Sequence, residues 1–466
     1  GVTTRGQLDR TIPPLVRAAY NEALHCNGNG ACFTWDPDEA MCPSYKATRD
    51  RRHSPKGRAS LTREWLRQLA SLGYDPAADA TALRRRSGWP TLLQWARNTQ
   101  ARRRGEPDFS HAVKDAMDGC LACKSCSGQC PIKVDVPGFR ARFLELYHSR
   151  YLRPVRDYLV ASLETTLPAL GTMRSVYNLL LDNPLGRAAM RTVGLVHTPR
   201  LSRLSMRREL AARGIAEATP QALAELSDTE RARCVVLVQD AFTSWYETHV
   251  VTAALDLMPA MGFKPFIAPF RPNGKPLHVH GFLGRFIRAA SRNSAMLRAL
   301  AQTGVELVGV DPSMTLTYRS EYAMLPERDR PPPVLLLQEW LARHLDAIPE
   351  VPQTDTEYLL LPHCSERALA IASLRSWQSA FSAAGASLRI LSSGCCGMAG
   401  TYGHEAEHRA TSEQIYEMSW KPQITHWAES GRLVATGYSC RSQVKIVDGG
   451  ALSHPAEALL AHLRQR

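Results

Sequence analysis

The stretch Cys120-Leu-Ala-Cys123-Lys-Ser-Cys126-Ser-Gly-Gln-Cys130-Pro131 places four cysteines in a C-x2-C-x2-C-x3-C-P run. This is the bacterial ferredoxin spacing for an iron–sulfur cluster. The short gaps let three thiolates from one tight turn reach three irons of one cube. The fourth cysteine, before proline, points away and serves a second cluster where there is one. Buried cysteines without metal are the plainer alternative. Zinc fits less well, because it prefers two separated C-x2-C pairs.

Cys120, Cys123 and Cys126 need a fourth ligand, and the Cys42-Pro43 element supplies it. The sequence thus predicts one [4Fe-4S] cluster on Cys42, Cys120, Cys123 and Cys126. A regular second motif counted back from Cys42 requires cysteines at 38, 35 and 32, where the chain has Asp38, Trp35 and Cys32. Cys26 and Cys32 remain, with Cys130 from the other motif. These three thiolates could hold a second cluster with His25 or Asp38 as a non-cysteine ligand, or a three-iron cluster. The rival is a site that has decayed into a structural loop.

A third group lies near the C-terminus: Cys364, the Cys395-Cys396-Gly397 triplet, and Cys440. These can converge at the C-terminal ends of strands, where α/β folds place ligands. Four thiols there could bind a cluster or zinc, act as redox thiols, or be a packed remnant. His363 adjoins Cys364 and could tune it. Cys234 lies in an apolar strand and reads as core. His278, His280, His404 and His408 read as hydrogen-bonded or exposed rather than as ligands. No G-x-G-x-x-G fingerprint follows a strand, and no P-loop occurs.

Three kinds of element must position these residues. The chain has 466 residues, which suggests about three domains. Residues 1–150 read as an α-helical ferredoxin-like domain. Pro13 and Pro14 mark a helix start. Ser60-Leu-Thr-Arg-Glu64 has the form of a capping box. Pro90 opens another helical stretch, and Phe139, Phe143, Leu144 and Tyr147 recur at helical spacing. Residues 151–231 read as a helical connector with a Leu159, Leu163, Leu167 and Leu170 stripe packing on its neighbours. Arg203 to Arg213 reads as a charged, mobile stretch.

Residues 232–350 and 351–466 read as two α/β halves of an internal duplication, the second carrying the Cys-Cys-Gly motif. Strands are expected at Cys234, Glu306, Tyr358, Leu388 and Arg432, with one helix from Glu366 to Ala384. Asp240-Ala241 aligns with His363-Cys364, and Pro312-Ser313-Met314 with Tyr438-Ser439-Cys440. The intervals agree: 73 residues from Ala241 to Met314 and 76 from Cys364 to Cys440. The first half has no cysteine at the matching points. The expected fold class is therefore α + α/β: a helical ferredoxin domain, a connector and a duplicated α/β domain.

The 12 cysteines, clustered in a long chain, suit metal rather than a secreted disulfide scaffold. No signal-peptide pattern and no apolar run of about 18 residues is present, so a cytoplasmic location is expected, with contact to the inner membrane only peripheral. The net charge is +13, and the segment from Lys46 to Arg104 has 15 Lys and Arg against 4 Asp and Glu, a net of +11. Arg84-Arg85-Arg86 and Arg102-Arg103-Arg104 carry much of it. A solvated or interdomain basic face is the plain reading; docking on an acidic partner or an anionic membrane is the sharper one. No nucleic-acid partner is expected, since no helix-turn-helix or stacking pattern accompanies the charge.

His25-Cys26-Asn-Gly-Asn-Gly-Ala-Cys32, Ala40-Met-Cys42-Pro-Ser-Tyr-Lys-Ala-Thr-Arg49 and His53-Ser-Pro-Lys-Gly-Arg-Ala-Ser60 resemble the C-terminal iron–sulfur half of bacterial FAD-linked dehydrogenases of the D-2-hydroxyglutarate/D-lactate type. The Cys120 motif, the Cys-Cys-Gly region and Gly437-Tyr-Ser-Cys440-Arg-Ser-Gln443 are similar to the iron–sulfur subunits of glycolate oxidase and anaerobic glycerol-3-phosphate dehydrogenase. The resemblance covers nearly the whole chain. It implies electron transfer from FAD, held by a flavin half preceding Gly1, through the iron–sulfur part to a quinone or soluble acceptor. It implies no substrate or FAD residue here, since none matches. The expected partners are that flavin half or a flavin subunit, the acceptor, and further copies of the chain. Two other functions fit the same residues: a thiol redox enzyme of heterodisulfide-reductase type using Cys364, Cys395, Cys396 and Cys440, and a zinc-stabilised interaction module.

Overall fold

A computed structural model describes residues 4–83 and 89–465. The Arg84-Arg85-Arg86 run lies outside the described residues. The molecule is mixed α/β, mostly helical, with small parallel sheets.

The N-terminal part is helical. Pro14 opens the helix Pro14–Ala19 at its first turn, as its fixed φ favours. The long helix Pro55–Ser71 begins earlier than the Ser60 capping box suggests. Ser54 is its N-cap, accepting from the Gly57 N–H at 3.0 Å, and Pro55 fills the first turn. Ser60 and Glu64 therefore lie inside the helix. This helix packs on Phe109–Asp118 and Val136–Tyr147 around Trp65, Val113, Met117, Phe139 and Phe143, which are all buried. Cys26, Cys32, Cys42, Cys120 and Cys126 belong to the same apolar cluster.

The connector divides in two. In the helix Val155–Thr172, Leu167 is buried but Leu159 is exposed. The next two helices, Arg174–Asp182 and Pro184–Thr192, bury no residue. The expected stripe packs through Leu163, Leu167 and Leu170, and the hairpin joins the same core through Tyr177 while exposing Met173, Val176, Leu179, Leu180 and Leu185. The stretch read as mobile contains a helix, Met206–Ala212, and its Arg213 is held by Glu209 and Asp256.

Two parallel sheets follow. The first has strands β1 (Cys234–Val238), β2 (Lys264–Ile267), β3 (Glu306–Gly309) and β4 (Leu335–Leu336), ordered β2-β1-β3-β4. The second has β5 (Glu357–Leu361), β6 (Ser387–Ile390) and β7 (Leu433–Ala435), ordered β6-β5-β7. In each, the first strand is central, the second flanks it on one side and the third on the other. β2 and β4 carry no sequence signal strong enough to have been expected. Strand period 2 sorts the side chains into layers. Val235, Leu237 and Leu360 enter one core shared by both sheets, with Trp377 and Phe381. Val236 faces an outer core of the first sheet. Leu359 and Leu361 face an outer core of the second, with Trp420, Cys396 and Cys440. Cys234 is buried in its strand, as expected. The helix expected from Glu366 to Ala384 is broken into Cys364–Leu369 and Ser373–Ala383.

Candidate metal centres

The backbone around the first cysteine group is forced into a tight cage. Cys42 has φ 37°, and Ala122 and Lys124 have φ 53° and 63°, all left-handed. Such values cost energy for non-glycine residues and concentrate at functional sites. They let the chain turn between consecutive cysteines before the helix Ser125–Gln129 begins. Pro43 starts its own helix immediately after Cys42. As a result Cys42, Cys120, Cys123 and Cys126 line one small cavity, closed by Pro43, Pro55, Val136 and Pro137 and by the side chains of Arg58 and Lys124. All four predicted ligands are thus brought together.

Burial makes Cys42, Cys123 and Cys126 poor acids. It pushes Cys42 up to about 11, with Arg58 opposing. It pushes Cys123 up to about 12 and Cys126 well above the usual thiol range. A bound metal would invert this, because a coordinating thiol is deprotonated outright. Arg58 is fully buried and spent on the site. Its Nη1 lies 3.7 Å from Cys42 Sγ and donates to the His53 carbonyl. Its Nε donates to Ala116 O at 2.7 Å and its Nη2 to Ser44 Oγ at 3.0 Å. Lys124 is buried too, paired with Asp135 at 2.8 Å. A dry cavity walled by four thiols, with one buried cation donating to sulfur, fits an iron–sulfur cluster.

Part of the basic segment is held internally in the same way. Lys46 is buried and donates to Glu39 O at 2.6 Å. Arg63 and Arg67 hold Asp9, and Arg49 lies 4.0 Å from the Trp35 ring centroid. Arg102 donates to Tyr147 Oη at 2.7 Å. Arg49, Arg51, Arg52, Arg97, Arg103 and Arg104 remain exposed.

Cys26, Cys32 and Cys130 are also brought near one another. The Cys32 thiol is raised by burial first, and then by the charges of Cys26 and Cys130, against a hydrogen bond from the Lys56 backbone. Asp38 does not join them. Its Oδ1 accepts from Ser419 Oγ at 2.7 Å and its carbonyl from Arg367 at 2.8 Å, so it ties this loop to the second α/β half. That removes Asp38 as the non-cysteine ligand. Trp35, at another lost cysteine position, stacks on Tyr45 at 4.7 Å. His25 is exposed beside the buried Cys26.

The third group converges at the C-terminal ends of the second sheet's strands. Cys364 opens the helix after β5, Cys395 and Cys396 follow β6, and Cys440 lies in the helix Tyr438–Val447 after β7. All four are buried. Their sulfurs form a chain of contacts, Cys364 to Cys395 to Cys396 to Cys440. Gly397, at φ 85°, is required here: a Cβ would overlap the Ser412 carbonyl oxygen. At the matching points of the first half stand Ala241, buried, and Met314, buried. His363 caps the Cys364 helix through Ser365 N–H to Nδ1 at 3.1 Å, and burial lowers its basicity to about 4. Of the other histidines, His278, His280 and His404 are buried.

One relationship carried no sequence signal. The helix Ser125–Gln129 packs so tightly on Cys364–Leu369 that a Cβ at Gly128 would overlap the Ala368 carbonyl. This sets Cys123 beside Cys364, whose charge raises the Cys123 thiol after burial does. Both cysteines line a second chamber, of about 80 Å³, between the helical part and the two sheets. Among the described residues, Glu405, Glu407 and His408 also bring three ligand atoms together, but Arg156 already bridges both carboxylates. No helix is long and apolar enough to cross a membrane among the described residues.

Residues 22–134 match the family described as 4Fe-4S dicluster domain, which supports iron–sulfur clusters in this segment. The chain is similar to D-2-hydroxyglutarate dehydrogenase of Pseudomonas putida, 49% identical over 100% of this chain and 46% of that protein. It is 45% identical to D-2-hydroxyglutarate dehydrogenase of Escherichia coli, over 98% of this chain and 45% of that protein. A weaker similarity, 27% identity over 40% of this chain and 48% of the relative, links it to one subunit of the anaerobic glycerol-3-phosphate dehydrogenase of Escherichia coli. No solved structure matches the chain significantly. The chain spans about half the length of the curated D-2-hydroxyglutarate dehydrogenases that it matches.

Proposed function

We propose that the chain is the iron–sulfur electron-transfer part of a flavin-dependent dehydrogenase of D-2-hydroxy acids, of the D-2-hydroxyglutarate type, linking FAD to a quinone or other acceptor. One observation carries this reading: Cys42, Cys120, Cys123 and Cys126 wall a single buried cavity with Arg58 against the Cys42 sulfur. The similarity to proteins named D-2-hydroxyglutarate dehydrogenase supports the substrate class.

A cluster bound there supplies one-electron redox chemistry. The chain's own residues do the rest. The four thiols would hold the cluster as thiolates. Arg58 offsets the charge that four thiolates bring into a dry site, and its hydrogen bond to Cys42 Sγ favours the more negative state. Pro43, Pro55, Val136 and Pro137 exclude water. Cys26, Cys32 and Cys130 are the proposed thiol ligands of a second cluster. Iron and acid-labile sulfide per chain, measured after anaerobic purification, test the reading. About four irons per chain mean one cluster and about eight mean two; a colourless, iron-free protein overturns it.

The sulfur chain from Cys364 to Cys440 favours a second reading, a thiol redox site in the α/β halves or a metal bound by those same four residues. Cys396→Ser would then abolish disulfide reduction while leaving the iron of the first centre in place. Iron bound in wild type but lost in Cys396→Ser assigns the group to metal instead.

A further inference from the structure

The chamber between Cys123 and Cys364 is built like a ligand site. It lies beyond the C-terminal ends of β3, β5 and β7, where open α/β sheets bind small molecules. Its walls are mainly apolar, from Leu121, Val160, Val279 and Met314. Phe242 and Tyr438, stacked at 5.7 Å with 23° between their planes, also line it. Apolar walls with a few placed polar groups are the usual composition of a small-molecule site.

The polar groups decide what it can take. Lys275 has no free donor: its Nζ reaches Ser313 O at 3.1 Å, Thr317 Oγ1 at 3.1 Å and Glu321 Oε1 at 3.3 Å. Asp311 accepts from Met314 N at 3.1 Å and Tyr438 N at 2.9 Å, one on each carboxylate oxygen. With its cation paired to Glu321, the chamber has no free positive charge to offer a carboxylate. Burying a carboxylate unpaired would cost several kcal/mol, roughly. An anionic ligand is therefore excluded, and the hydroxyl donor at Ser439 selects a carbonyl acceptor rather than an ammonium.

Ser439 supplies a directed donor. The Ser365 N–H donates to His363 Nδ1, so that nitrogen carries no proton and the ring proton sits on Nε2. Nε2 is 3.2 Å from Ser439 Oγ and therefore donates to it. This is the reverse of a histidine that activates a serine. The Ser439 hydroxyl hydrogen is left for another acceptor, and Ser439 lines the chamber.

We propose that this chamber binds a small, neutral, carbonyl-bearing ring compound of the quinone class, with the Ser439 hydroxyl donating to its carbonyl oxygen. Its position between Cys123 and Cys364 is where the electron-transfer reading needs an acceptor, and the acceptor role rests on that reading; the binding itself needs no redox step.

Duroquinone is a suitable probe, because all four ring positions are substituted and it cannot add to thiols. Equilibrium dialysis against the anaerobically purified chain is expected to show one saturable site. Ser439→Ala should weaken it about tenfold, the loss of one hydrogen bond. Thr401→Trp, which fills the chamber without replacing a cysteine, should abolish it. D-2-hydroxyglutarate should not compete. Absence of saturable binding, binding unchanged in whichever of the two variants folds, or displacement by D-2-hydroxyglutarate each overturns the proposal. Iron is measured on the same samples. A chain with iron but no duroquinone site overturns the chamber alone, whereas a chain without iron overturns the electron-transfer reading.

Discussion

Cys123 and Cys364 are neighbours: the first belongs to the ferredoxin-type loop, the second opens the helix after the central strand of the second sheet, and the charge of the second makes the first harder to ionise. Two thiol groups that look independent along the chain therefore meet at one wall. Their roles should separate on mutation. Cys123→Ser is expected to lower iron and sulfide content, because Cys123 lines the four-thiol cavity. Cys364→Ser is expected to leave the iron held by Cys42, Cys120, Cys123 and Cys126 intact. Equal iron loss in both variants would mean that the two groups bind one shared centre.

Lys124 offers a test of how charge sets the properties of the first centre. Its ammonium lies in the cavity wall but is paired with Asp135, which also accepts from Ser127 Oγ at 2.7 Å. The pair presents little net charge. Lys124→Met leaves the half-buried Asp135 without its cation, so the midpoint potential should fall, since a nearby anion disfavours reduction. Stability should fall by about 1–3 kcal/mol, the cost of leaving a partly buried polar group without its partner. The double variant Lys124→Met with Asp135→Asn should restore much of both. An EPR-monitored titration and a melting curve read the two effects. A potential unmoved in the single variant removes the electrostatic account.

Arg58 joins the centre to the helical core through buried contacts to Ala116 O, His53 O, Ser44 Oγ and Cys42 Sγ. Arg58→Met keeps the volume but strands buried carbonyls, each worth about 1–3 kcal/mol when unsatisfied. A loss of about 2–4 kcal/mol is expected by calorimetry. Arg58→Lys should recover only part of it, because one ammonium cannot span the same four acceptors.

Asp240 gives the fold a pH dependence opposite to ordinary acid denaturation. It caps the helix after β1, accepting from the N–H groups of Phe242 at 2.8 Å and Thr243 at 2.9 Å. Burial first, and then the Asp311 charge, raise its carboxyl to about 7 from a usual 3.8. A raised carboxyl means that the folded state binds the proton more tightly than the unfolded chain. The stability it contributes is complete below pH 3.8 and is lost as pH rises through about 7. Asp240→Asn keeps the capping oxygen without the charge. The variant should therefore gain on wild type as pH rises from about 4 to about 8, measured by urea unfolding in the cold and in the absence of oxygen. An identical difference at both ends of that range would sink the assignment.

The legible parts are those in which spacing alone dictates structure. The C-x2-C-x2-C run and the Cys-Pro pair imply a shared cavity because their backbone must turn within two residues, and Cys42, Cys120, Cys123 and Cys126 do line one. Apolar runs at Cys234, Glu306 and Tyr358 read as buried parallel strands, since both faces are covered. What is not legible depends on partners far away in sequence. Trp35 and Asp38 look like lost ligands, but one packs on Tyr45 and the other holds Ser419 and Arg367. Ser60 mimics a cap, while the true cap, Ser54, is masked by Gly57, because glycine so near a helix start suggests a break. The exposed hairpin carries the same leucine pattern as a packed one. Only the surrounding molecule distinguishes them.

Gly128 is a tight point between the helical part and the second α/β half, and its substitution should uncouple them. A Cβ there meets the backbone carbonyl of Ala368, which cannot rotate away as a side chain would. Alanine normally favours a helix over glycine by about 1 kcal/mol, so Gly128→Ala would stabilise Ser125–Gln129 in isolation. Overpacking against a fixed backbone costs about 1–3 kcal/mol, and more where nothing can shift. The clash should win. Gly128→Ala is expected to lower the melting temperature and to open cleavage sites for trypsin between the two parts. Iron on the first centre should be retained, because its four cysteines all lie on the helical side. The chamber shared by Cys123 and Cys364 should be lost, read as loss of duroquinone binding. A variant as stable as wild type and still binding duroquinone would show that the two parts tolerate a wider separation than their packing implies.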